Sequence, residues 1–146
     1  MANNRTTTSA NCVLLITVQN LFATPQRIEG YGPDDMISTD PRENIERVMG
    51  ADGRFSFGWT PRETMMSLTI QADSLSNDFL ERLQSAQEAA REVYVCDALY
   101  ILPAIGKKYQ CSRGALISYP PFPSARRTLQ TRVARFEWER VTPALT

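Results

Sequence analysis

A chain of 146 residues amounts to one domain, long enough to bury a core without disulfide staples. Sixteen Lys and Arg balance sixteen Asp and Glu, so no global field draws the protein to nucleic acid or an anionic membrane, although a local patch stays open. Histidine is absent, which removes Ser-His-Asp and Cys-His arrangements, most zinc sites and the usual proton shuttle near neutral pH.

Read in order, Met1–Asn11 is polar and rich in Thr and Asn, and is expected to be a flexible arm ahead of a single domain over 12–146. It has no apolar core of the kind a secretion signal needs, and no run is as long as a membrane span. Cys12, Cys96 and Cys111 lie far apart; an odd number without a signal peptide reads as reduced thiols. Cys12–Phe22, with Val13, Leu14, Leu15, Ile16 and Val18, reads as a buried strand. Ala23–Pro41 is interrupted by Gly and Pro, with short strands expected at Gln26–Tyr31 and Met36–Thr39 around a Gly-Pro-Asp-Asp turn. Asp34 and Asp35 are neighbours on that turn, where side chains point apart, so they do not form an acid/base pair.

Glu43–Met49 and the alternating Phe55, Phe57 and Trp59 flank Asp52-Gly53, the signature of a hairpin with a type I′ turn. A phosphate loop is excluded because a strand follows it and not a helix. In that strand, Thr64–Ala72, the residues Met66, Leu68, Ile70 and Ala72 share one face. The hairpin and this strand are the expected centre of the fold. Leu75–Val93 is the one helix, capped by Ser76 or Asn77, with Phe79, Leu80, Leu83, Ala86 and Ala90 as its apolar stripe and Asp78–Arg82 as a surface pair.

Tyr94–Leu102 and Lys107–Ser118 read as strands, the second with a turn or bulge at Ser112–Gly114. Tyr119–Pro123 is a proline-stiffened connection. Thr128–Val141 is a last strand with Ala134, Phe136 and Trp138 on one face and a bulge expected near Val133. Arg126, Arg127, Arg132, Arg135 and Arg140 crowd this end. They are read either as a solvated strand face, as an interface meeting carboxylates of a neighbouring subunit, or as a nucleic-acid groove interrupted by Glu137 and Glu139. The residues predict a mainly β fold with one α-helix, no cofactor, no metal and no enzyme activity.

The segment Ile45–Leu83 resembles the tail tube subunits of tailed bacteriophages. The likeness is carried by Val-Met-Gly-Ala-Asp-Gly, by Met-Ser-Leu-Thr-Ile-Gln-Ala-Asp-Ser and by Leu-Ser-Asn-Asp-Phe-Leu, with the Phe136-Glu137-Trp138 strand behind them. It covers roughly residues 30–145. The resemblance implies an antiparallel β-sandwich or partial barrel with a flanking helix, six copies closing into rings, and rings stacking into a hollow conduit for the viral genome. It implies a place in the virion tail, after synthesis in the host cytoplasm. The implied partners are the chain itself and other tail proteins (sheath where the tail contracts, baseplate hub, tape measure, terminator), with DNA passing through non-specifically.

On that reading Ala23–Pro41, Pro103–Lys108 and Tyr119–Arg127 supply contacts between subunits, with Pro33, Asp34, Asp35, Arg126, Arg127, Arg132 and Arg135 as the candidate residues. Asp34, Asp35, Asp40, Glu43 and Glu46 are the candidate lumen acids, since acidic walls repel a DNA backbone that carries one charge per about 1.7 Å of duplex axis. A tube-initiating or tube-terminating ring is the first alternative. A small β-barrel that binds nucleic acid is the second.

Overall fold

The structure is a computed structural model that describes residues 5–32 and 36–145. The strands are β1 (Val13–Val18), β2 (Phe22–Arg27), β3 (Ile37–Thr39), β4 (Ile45–Met49), β5 (Phe55–Trp59), β6 (Thr64–Ile70), β7 (Cys96–Leu102), β8 (Lys107–Ser118) and β9 (Arg132–Leu145). One helix, α1 (Ser76–Ala90), lies between β6 and β7. Seven strands form one antiparallel sheet in the order β2-β1-β7-β8-β9-β6-β3, and β4 and β5 pair only with each other.

The period of two along each strand decides what this sheet does. Leu14, Ile16 and Val18 of β1, Met66, Leu68 and Ile70 of β6, and Ala134, Phe136 and Trp138 of β9 all point inward and are buried. One sheet with one apolar face must cover that face, and here it rolls on itself while α1 inserts Phe79, Leu80 and Leu83. The residues after β2 span the gap between the sheet's two ends. Ile28 N–H donates to Leu14 O at 3.0 Å, Gln71 N–H to Gly30 O at 2.7 Å and Gly32 N–H to Thr69 O at 2.8 Å. The roll is held at that end without closing as a barrel, and the architecture is the expected β-sandwich with a flanking helix.

Several local expectations shift. The hairpin turn is not type I′: Gly53 N–H donates to Gly50 O at 3.0 Å, and of the Asp52-Gly53 pair only Gly53 has positive φ, 86°. This is a three-residue loop, in which glycine alone takes the left-handed position. The helix starts behind Leu75 with no side-chain cap, because the two expected capping oxygens accept elsewhere, Asn77 Oδ1 from Tyr119 Oη and Ser76 Oγ from Glu29 N–H. Arg82 does not pair with Asp78; its guanidinium sits 5.1 Å over the Phe22 ring. The Ser112–Gly114 bulge is present, with Arg113 at φ 49° and its N–H donating to Asp97 Oδ1 at 3.0 Å. The last strand's irregularity lies across from the expected place, between Leu116 and Ser118 of β8.

Gly114 follows from Trp138. A Cβ there would stand 2.5 Å from Glu137 O and overlap the Trp138 ring, and a backbone atom cannot give way. Gly114→Ala is expected to destabilise the fold by about 1–3 kcal/mol through overpacking, read as a lower urea midpoint.

Arg132 belongs to the inward parity of β9 and is buried, 2% exposed. It donates to Glu81 Oε1 of α1 at 2.6 Å and to Pro120 O at 2.8 Å, and lies 4.3 Å over the Tyr119 ring. Tyr119 Oη in turn donates to Asn77 Oδ1 at 2.6 Å, and Gln84 Nε2 to Tyr119 O at 2.8 Å. The expectation that Arg132 meets a neighbouring subunit is corrected: its guanidinium is committed inside its own chain, where it ties α1 to β9. Arg132→Ala is expected to cost roughly 2–4 kcal/mol, since the Glu81 carboxylate of α1 and the Pro120 carbonyl after β8 lose their shared donor. Arg135→Ala, on the outer face, should stay within about 0.5 kcal/mol in the same denaturation series.

Burial also holds four groups protonated. Tyr100 and Tyr119 are pushed from 10 up to about 12, Cys96 from 9 to about 12 and Cys111 from 9 to about 11. The unfolded chain ionises first, so this stabilisation is complete below pH 9 and drains away as pH rises through 12. The denaturant midpoint should therefore be level from neutrality to about pH 9 and then fall. A midpoint unchanged at pH 11 would contradict the burial of these groups.

Candidate assembly surfaces

The hairpin expected at the centre of the fold is an arm outside it. Every residue of β4 and β5 is exposed, with Val48, Phe57 and Trp59 at 68%. Residues opposite each other on an antiparallel pair share a face. The register Ile45↔Trp59, Arg47↔Phe57 and Met49↔Phe55 therefore gathers three aromatics, two aliphatics and one arginine on one side, and leaves Glu46, Val48, Ser56 and Gly58 on the other. The Phe55 and Phe57 rings meet at a tilt of 45° with centroids 5.3 Å apart.

The arm is anchored at its base. Thr60 N–H donates to Asn44 O at 2.7 Å and Asn44 Nδ2 to Thr60 O at 3.1 Å. Arg62 Nη2 reaches Glu46 Oε1 at 2.6 Å and its Nε reaches Glu43 O at 3.2 Å. An arm fixed in this way loses little freedom when a partner meets it.

Strand edges are also open. β2 and β3 end the sheet, and β9 outruns β6, whose last pairing is Thr64↔Trp138. Among the described residues no strand lies beside Glu139–Ala144 on that side. Exposed edges of this kind carry unpaired N–H and C=O groups that favour another chain.

The candidate contact residues are scattered over these surfaces. Arg126 and Arg127 are exposed at the tip of a small loop closed by the Ala125↔Leu129 bridge, next to exposed Phe122 and Leu129. Arg135 is exposed mid-strand on the outer face of β9. Pro33, Asp34 and Asp35 lie outside the described residues. Among the candidate lumen acids, Asp40, Glu43 and Glu46 are exposed at the base of the arm, interleaved with Arg42, Arg47 and Arg62. Glu46 is neutralised there by Arg62. The arm's apolar face was missed as a surface because Phe-Ser-Phe-Gly-Trp shows that one side is apolar and is silent on which chain covers it.

Among the described residues no group of three or more His, Cys, Asp or Glu is placed to hold a metal ion, and the three cysteines are buried and free. No helix among the described residues is long and apolar enough to cross a membrane.

Comparison with solved structures returns the same fold at low identity. A chain in an extracellular contractile injection system, the PVC sheath-tube complex in the extended state, aligns with TM-score 0.55 and 12% identity over 91% of this chain and 88% of that one. A chain of the anti-feeding prophage baseplate, 6-fold symmetrised, aligns with TM-score 0.60 and 9% identity over 99% and 97%. A chain of the anti-feeding prophage tube-terminating cap aligns with TM-score 0.50 and 10% identity over 91% and 88%. No curated protein matches the sequence. A family model described as tail fiber protein gp32 matches residues 5–142. That finding is tail-like, as the motifs imply, and is not specific to the tail tube subunits they resemble. With nearly the whole chain inside the match, the protein belongs to the tail fiber protein gp32 family.

Proposed function

We propose that this chain is a structural subunit of a phage-tail-like particle that assembles with its own copies into stacked, six-membered rings around a passage for DNA. The observation that carries the reading is the β4–β5 arm, an anchored hairpin whose aromatic face is left uncovered by the described residues of its own chain. Exposed apolar faces of this size are characteristic of assembly contacts. The open edges of β2, β3 and β9 support the same reading, because neighbouring copies can complete them. In this reading Arg126, Arg127 and Arg135 face carboxylates of adjacent subunits, and Pro33, Asp34 and Asp35 join the contact loop. Asp40 and Glu43 keep the role of acids that repel the DNA backbone.

A second reading, a ring that starts or ends a tube, is favoured by the fold's likeness to chains of a baseplate and a tube-terminating cap as well as of a sheath-tube complex.

Light scattering behind size exclusion, with negative-stain micrographs across a concentration series, tests both. Stacked tubes of open length are expected for a main tube subunit, and rings that stop at one layer for a specialised one. A protein that stays monomeric at high concentration would overturn both readings.

A further inference from the structure

Outside the arm, the exposed large apolar side chains among the described residues are Leu75, Val93, Ile117, Phe122, Leu129 and Val133. They share one end of the roll, where β6 and β8 finish and β9 begins, whereas the arm leaves from the other end of β6. Charge is sorted in the same region. Between Asp97 and Glu137 the sequence holds no carboxylate side chain and seven Lys and Arg. Arg113 and Arg132 of this run pair with Glu139 and Glu81. Arg126 and Arg127 are exposed and have no ion pair among the described residues.

The two features meet on the loop between β8 and β9. Phe122 is 72% exposed and Leu129 57%, and the two guanidiniums lie between them in sequence. This loop is already ordered. Its stem is held by the buried Tyr119 and by Pro120 O, which accepts from Arg132 at 2.8 Å. Its tip is closed by Arg126 N–H donating to Thr128 O at 3.1 Å and Gln130 N–H to Ser124 O at 2.9 Å. Pro120, Pro121 and Pro123 restrict the backbone between stem and tip.

We propose that this loop docks the chain on an anionic phospholipid membrane, with Phe122 and Leu129 entering the hydrocarbon boundary and Arg126 and Arg127 on headgroup phosphates. A guanidinium matches a phosphate in geometry as well as in charge. Apolar insertion and cation attraction are each weak at such a surface, and together they give reversible binding. An ordered loop loses little freedom in the contact. Duplex DNA offers the same phosphates and fits worse: an aliphatic Leu129 gains nothing from stacking on bases, and two cations on a chain of zero net charge release few counter-ions. One carboxylate opposes the contact, since Asp73 lines a shallow cleft together with Leu129.

The inference goes beyond the ring reading and holds for a single chain. In a stack the two arginines face the next subunit; in a lone chain, or at the stack end that carries these loops, they are open to lipid. A ring would present several such loops on one side and add their affinities.

Flotation through a density gradient tests the contact, because only bound protein rises with vesicles. The full chain, kept dilute, is mixed with vesicles of phosphatidylcholine and phosphatidylglycerol in equal parts, or of phosphatidylcholine alone. It should rise with the anionic vesicles, less so as salt is raised, and stay behind with the neutral ones. Arg126→Ala with Arg127→Ala should weaken binding about thirtyfold, and Phe122→Ser with Leu129→Ser about tenfold, with circular dichroism unchanged. Asp73→Asn should strengthen it. Lys107→Ala with Lys108→Ala removes the same charge at the other end of β8 and should leave binding as it was. Flotation that ignores both loop pairs, or falls equally with the lysine pair, overturns the proposal. So does binding to a labelled DNA duplex at the same salt without flotation. A chain that assembles into rings and never floats overturns the membrane contact alone and leaves the ring reading standing.

Discussion

Phe136 and Trp138 lie parallel, 5.5 Å apart, against the backbone of β8, and Trp138 reaches that position because Gly114 has no side chain. Much else follows from this contact. It brings β8 and β9 together along a ladder from Lys107↔Leu145 to Ser118↔Arg135, the longest in the sheet. It sets the inward parity of β9, which in turn points Arg132 into the interior. A buried guanidinium must be paired and hydrogen-bonded, and Glu81 and the Pro120 carbonyl meet that demand. The position of α1 on the roll is thereby fixed by an ion pair as well as by apolar packing.

The same sheet explains why the arm is free. The inward faces of β1, β6, β7, β8 and β9, with three side chains of α1, already fill the core. None of the described core residues comes from the hairpin, so Phe55, Phe57 and Trp59 stay outside it. An aromatic face left outside a full core is a hazard, because it invites unselective association. Here it is flanked by Glu46, Arg47, Asp52 and Arg54, charges of both signs that suppress contact with a surface of the wrong pattern.

Most of the architecture was legible in the sequence because it depends on parity. Thr64–Ile70 and Arg132–Leu145 alternate as a half-buried sheet requires, and the helix shows its stripe at Phe79, Leu80 and Leu83. Parity also held the answer for Arg132, which shares the phase of Ala134, Phe136 and Trp138; grouping the arginines by charge hid it. The turn at Asp52-Gly53 was misread because Asp-Gly fits both a two-residue and a three-residue loop, and only the pairing of Gly50 with Arg54 separates them. The assembly surface was the least legible part. Alternation reports that a face avoids water, and it cannot say whether the cover is the same chain or another.

That ambiguity has a physical consequence for how such a subunit behaves before it assembles. Its fold is complete without neighbours, since no residue of the core comes from β4 or β5. On the proposed reading folding and assembly would therefore be separable steps, the first set by the roll and the second by an arm already in its final shape. An arm held by Asn44, Thr60 and Arg62 gives up little entropy on binding, so a modest apolar area can suffice. On the proposed ring reading concentration becomes the control: dilute chains would remain folded and apart, and crowded ones would join without refolding.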